Sequence, residues 1–111
     1  MTVDVANGKV KMNGAFLLKG YTSINTTGTS IPNDVCMVDV DSTAGAITVF
    51  LPLNPEFGTL ISIKDTAGTS SGNPITINGN GKNIDGSSAF IIAVPYEAFS
   101  FWYNNTEWQL R

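Results

Sequence analysis

No histidine occurs anywhere in these 111 residues, and there is a single cysteine. Without histidine the chain lacks the commonest general base and the commonest metal ligand. No Ser-His-Asp or Cys-His arrangement can therefore be assembled within it, and one thiol cannot build a thiolate zinc site. The lone Cys36 also rules out an internal disulfide framework, as expected of assembly in a reducing cytosol. It reads as a small buried hydrophobe, since nothing is present to activate it. Long apolar runs are missing too: none approaches the roughly 20 residues of a membrane helix. The first residues lack a basic stretch followed by an apolar core, so no secretion signal is expected. Only 14% of the residues are charged and the formal net charge is −3, which argues against nucleic acid as the main partner.

The chain does contain hydrophobic residues (42%), aromatics (10%) and many short polar breaks. That suffices for one folded domain with a single core. Alternation with period two recurs along the chain, and no stretch keeps a helical period over three turns. Thr2–Val5 and Lys9–Met12 flank Ala6-Asn7-Gly8, whose Asn-Gly is a strong hairpin signal. Asn25–Asn33 is a polar loop with Gly and Pro. Val38 and Val40 share a face with Cys36, and Met37, Asp39 and Asp41 share the other. Ile47, Val49 and Leu51, then Ile61 and Ile63, then Ile75 and Ile77, mark three further strands. Phe90–Val94 is a nearly continuous apolar strand. Short strands separated by Gly, Asn and Ser clusters predict an all-β sandwich or barrel with short antiparallel strands.

The C-terminal stretch AFSFWYNNTEWQLR reads as a hairpin. A two-residue loop at Asn104-Asn105 sets Phe101 opposite Trp108, and a four-residue loop sets Tyr103 opposite Trp108. Both keep Phe99, Phe101, Trp108 and Leu110 on one face, which is expected to close the core. A three-residue loop would place Phe101 opposite Gln109 and is rejected. Trp102 then faces the other side, where an indole serves as a protein contact or a second packed layer in preference to a sugar platform.

Charge is unevenly distributed. Residues 1–20 hold Lys9, Lys11 and Lys19 against Asp4, a local +2, whereas residues 21–111 hold Lys64, Lys82 and Arg111 against eight acids, a local −5. This suggests an N-terminal arm with the first strands over residues 1–30, joined to a β body over residues 31–111. The arm would meet an acidic surface, although lysines also simply guard edge strands. No catalytic, cofactor-binding or metal-binding residues are assigned. Asp39 and Asp41 share a face, but nothing marks a cleft beside them. In Asn78–Gly86 the Gly81-Lys82 pair lacks the Walker spacing, and Lys82 interrupts what would otherwise look like a calcium loop.

The order AITVFLPLNPEFGTLISIKD, NPITINGNGKNIDG, AFIIAV and SFWYNNTEWQL over residues 46–111 resembles a β-module of tailed-phage structural proteins, found in decoration proteins and in tail-fibre or spike modules. In length and arm the chain is most similar to the capsid decoration (stapling) proteins of epsilon15-like short-tailed phages. That resemblance implies a jelly-roll-like domain with no catalytic residues. It implies binding to the major capsid protein on the outside of the shell, self-association there as a dimer, and strengthening of the shell across neighbouring capsomers. It also implies residence in the virion after synthesis in the bacterial cytoplasm, with no nucleic-acid or membrane partner. The partner-binding residues expected on this reading are Lys9, Lys11, Phe16, Leu17, Leu18, Lys19 and Trp102. The alternative is a receptor-binding β-module of a tail fibre or spike that holds host surface polysaccharide.

Overall fold

The computed structural model describes residues 20–111 in full, together with the backbone of two N-terminal strands. These strands, β1 (Thr2–Ala6) and β2 (Lys9–Asn13), pair antiparallel as expected, with Ala6, placed in the turn on sequence grounds, opposite Lys9. Phe16, Leu17, Leu18 and Lys19 lie outside the described residues, as do the side chains of Lys9 and Lys11.

Nine further strands follow: β3 (Tyr21–Ile24), β4 (Thr29–Ser30), β5 (Met37–Val40), β6 (Ile47–Phe50), β7 (Leu60–Asp65), β8 (Ile75–Asn78), β9 (Ala89–Ile92), β10 (Ala98–Tyr103) and β11 (Trp108–Leu110). They form a five-stranded sheet in the order β11-β10-β7-β5-β3 and a four-stranded sheet in the order β4-β6-β8-β9. The described residues are thus all strand, turn and loop. Tyr21–Ile24 and Thr29–Ser30, grouped with the arm on sequence grounds, pair with β5 and β6.

The expectation of antiparallel pairing throughout is corrected. From β3 to β8 each strand lies in the opposite sheet from the one before it, and the pairs β3-β5, β5-β7, β4-β6 and β6-β8 are all parallel. A jelly roll is built from antiparallel strands, so this winding departs from it. Parallel neighbours normally need a long crossover, usually a helix. Here the crossover is a strand of the facing sheet, which gives the winding of a short β-solenoid. Antiparallel strands close its C-terminal end: β9 pairs with β8, and the β10-β11 hairpin pairs with β7.

Alternation decides which side chains enter the core. Val38 stacks on Ile63, and Val49 on Ile77, with the odd members of β7 and β8 turned inward. Ile47, Ile61, Ile75, Ile92, Phe101 and Trp108 complete a core shared by both sheets. Phe90 of β9 meets Phe99 and Phe101 of β10 edge to face, at 4.7 and 5.9 Å, and so joins the two sheets. Fully burying one such side chain contributes about 1.5–3 kcal/mol.

The terminal hairpin adopts the four-residue loop, with Tyr103 opposite Trp108 and Phe101 opposite Leu110. The Asn104 side-chain oxygen accepts hydrogen bonds from the amides of Thr106 and Glu107, and Asn105 takes φ 76°. An Asx turn of this kind needs the longer loop. The free edge of β11 is covered by the Asn78–Ser88 stretch: Trp108 donates its amide to the Asn83 carbonyl, and Asp85 donates to the Trp108 carbonyl.

Gly20 opens the first turn of the winding at φ 87°, and its carbonyl accepts from both Cys36 and Met37. A Cβ there would overlap the Asp34 carbonyl oxygen. Gly20→Ala is therefore expected to cost on the order of 2 kcal/mol or more, read as a lowered urea midpoint. An unchanged midpoint would show that the β3 start can shift without loss.

Candidate interaction face

The outward side of the five-stranded sheet combines side chains that the chain places far apart. Register brings Gln109, Trp102 and Leu60 into one row, Ser100, Ser62, Met37 and Tyr21 into the next, and Ala98, Lys64, Asp39 and Ser23 into a third. Trp102 is half-buried there, with its ring 5.8 Å from Phe57 in an edge-to-face contact. The Arg111 guanidinium lies over the same indole, 5.2 Å from its centroid. Phe57 is 67% exposed and Leu60 49% exposed, so this end of the face is apolar, aromatic and open to solvent.

Of the candidate partner-binding residues, Trp102 is thus set in a defined cluster, and Lys9, Lys11, Phe16, Leu17, Leu18 and Lys19 fall outside the described side chains. Phe57, Leu60 and Arg111 were not singled out from sequence. A signal for Leu60 was present: it sits out of phase with Ile61 and Ile63, so an apolar residue had to point outward.

The polar middle of the face is internally matched. Ser62 and Ser100 share a hydrogen bond of 2.8 Å. Tyr21 donates its hydroxyl to Asp39 at 2.9 Å, and this bond holds the phenol above its ordinary pKa. Asp41 accepts from the Thr43 amide, and hydrogen bonding from Thr43 keeps its carboxyl below the usual range. Asp39 and Asp41 are each committed to a local bond rather than to one another.

The Asp65–Pro74 loop is pinned from below. The fully buried Asp65 carboxylate accepts from the amides of Gly68, Thr69, Ser70 and Tyr96. Burial pushes its pKa up, but hydrogen bonds from Ser70, Tyr96 and Gly68 outweigh that and leave the carboxyl below its ordinary value. In the Asn78–Ser88 stretch, Asn80 and Lys82 are used on the carbonyls of Leu51 and Leu53.

An open depression of about 180 Å³ beside Asn25, Thr27 and Ala44–Ile47 is smaller than the roughly 300 Å³ from which small-molecule sites usually begin. The exposed sheet face is the better-developed feature.

No family model matches the chain, and no curated protein matches it significantly.

Proposed function

We propose that this protein is a structural subunit of a bacteriophage virion, a decoration protein that binds the outer surface of the capsid shell and holds neighbouring capsomers together. The observation that carries the reading is the open cluster of Trp102, Phe57, Leu60 and Arg111 on a hydrogen-bonded sheet. Aromatic and Arg side chains are enriched at protein interfaces, and Trp and Arg supply a large share of their binding energy. The phage-like order of residues 46–111 supports the choice of partner.

The mechanism needs no chemistry. A subunit that binds the assembled lattice and not free capsid protein stabilises the lattice by mass action. Modest contacts add through multivalency when one subunit, or a self-associated pair, spans two capsomers. Lys9, Lys11 and Lys19 would add electrostatic attraction to an acidic shell surface, with Phe16–Leu18 as further apolar anchors.

Co-sedimentation of the purified protein with isolated empty shells tests this. Wild type should pellet with shells, and both Leu60→Asp and Trp102→Ala should bind about tenfold or more weakly with unchanged far-UV circular dichroism. Failure of the folded wild type to pellet counts directly against the proposal.

A further inference from the structure

Strand β9 lies at one edge of the four-stranded sheet, and among the described residues its one strand partner is β8. The Gly79 amide donates to the Ser88 carbonyl, so these two residues form a hydrogen-bonded pair of the antiparallel ladder. Hydrogen-bonded and non-hydrogen-bonded pairs alternate, which makes Ile77–Phe90 and Ile75–Ile92 hydrogen-bonded as well. The N–H and C=O groups of Ala89 and Ile91 consequently point away from β8, along the free side of the strand.

Edges of this kind are normally blunted by lysine, proline, a covering segment or extreme shortness. The Asn83–Asp85 segment covers β11, and β4 has two residues. At the remaining edge, β3 carries Thr22 and Ser23 at its centre in place of an apolar run. β9 has no such guard. Residues 87–94, SSAFIIAV, contain neither a charge nor a proline, and the strand is as long as β8 beside it. Ile91 is 57% exposed and Val94 55% exposed, so the unguarded edge is also apolar.

We infer that β9 is the interface of a symmetric dimer, in which it pairs antiparallel with β9 of a second copy and joins two four-stranded sheets into one. A two-fold axis through the Ile91 pair makes the contact isologous. Ile91 then exchanges both outward backbone hydrogen bonds with the partner's Ile91. Ala89 lies opposite the partner's Ala93, and Phe90 lies opposite the partner's Ile92. The faces match at each position: Phe90 and Ile92 pack with the core, and Ile91 meets Ile91 on the outer side. Residues 86–96 carry no charge, so self-pairing meets none of the like-charge repulsion that opposed side chains can impose. This match of the strand with itself selects a second copy over a foreign strand. The Trp102 cluster lies on the outward side of the facing sheet, so pairing through β9 leaves it free. The dimer needs no shell, whereas its use in spanning two capsomers rests on the shell binding proposed above.

Sedimentation equilibrium of the full chain tests this. Wild type should run at twice the chain mass. Ile91→Lys would set like charges directly opposite each other, and should weaken the dimer by about tenfold or more with unchanged far-UV circular dichroism. Ile91→Cys, oxidised by copper phenanthroline, should form an intermolecular disulfide that peptide mapping places between the two copies of position 91. Directly opposite residues of a hydrogen-bonded pair have Cα atoms about 5.5 Å apart, within disulfide reach. A wild-type chain that stays monomeric at concentrations used for NMR, or a dimer that Ile91→Lys leaves intact, would overturn the assignment. A dimer in which Ile91→Cys gives no such crosslink would overturn it too. A monomer that still pellets with shells would remove the dimer alone and leave shell binding standing.

Discussion

Trp108→Ala is expected to lower the unfolding free energy by about 3–5 kcal/mol. Trp108 is fully buried, and its ring lies 5.3 Å from that of Tyr103, its partner across the terminal hairpin. Its backbone ties β11 to the Asn83–Asp85 segment that covers the sheet edge. Removing the indole therefore opens a cavity where three separate pieces of chain meet, and none of them can close it without breaking a ladder. One detail sharpens the expectation. The indole Nε1 is buried without a hydrogen-bond partner among the described residues, which is itself costly. Trp108→Phe removes that orphan donor together with part of the ring, so it should cost only about 1 kcal/mol. Urea unfolding of the two variants gives both numbers. A loss below about 1 kcal/mol for Trp108→Ala would contradict the role assigned to the hairpin.

Asp65→Ala should cost on the order of 3–4 kcal/mol, because four amides lose their acceptor at once, that of Ser70 in a fully buried setting. Asp65→Asn keeps the shape but replaces one accepting oxygen with an N–H₂ group that faces donors, so about 2 kcal/mol is expected. The carboxyl titrates below its ordinary value in the folded protein. Its contribution is therefore present above the unfolded carboxylate value, about 3.9, and is lost as pH falls through the depressed folded value. Wild type and Asp65→Asn should consequently differ most near neutral pH and converge in strong acid. Asp41 is also held below its ordinary value, chiefly by Thr43, and the Asp65 charge raises it in part, so Asp65→Asn leaves Asp41 low and lowers it further. A gap in urea midpoint that is independent of pH would refute the ionic part of this account.

Much of the fold was legible in the sequence because burial on one face imposes period two. Val38 and Val40, Ile47 and Val49, Ile61 and Ile63, Ile75 and Ile77, and Phe101 and Trp108 all declared both their strands and their inward faces. The Asn-Gly signal marked the N-terminal strand pair as well, although β1 takes in Ala6, which the sequence placed in the turn. Strand direction was not legible. A strand with one buried face alternates identically whether its neighbour runs parallel or antiparallel, and the usual mark of parallel pairing, a helical crossover, is replaced here by strands of the facing sheet. The hairpin loop length stayed open for a related reason, since loops of two and four residues preserve the same faces.

The candidate face was legible only in part. Trp102 followed from the phase of its own strand, but its neighbours depend on register across three strands and on the Phe57 loop, which period two does not reach.

The most direct measurement of the shell-binding role is the temperature at which virions release their genome, followed by the fluorescence of a DNA-binding dye. On the proposal, particles of a phage that encodes this protein should release DNA several degrees lower when they lack it than when they are complete. Adding wild-type protein should restore the higher temperature, and adding Leu60→Asp should not. Release at the same temperature with and without the protein, or its absence from purified virions, would contradict the proposal.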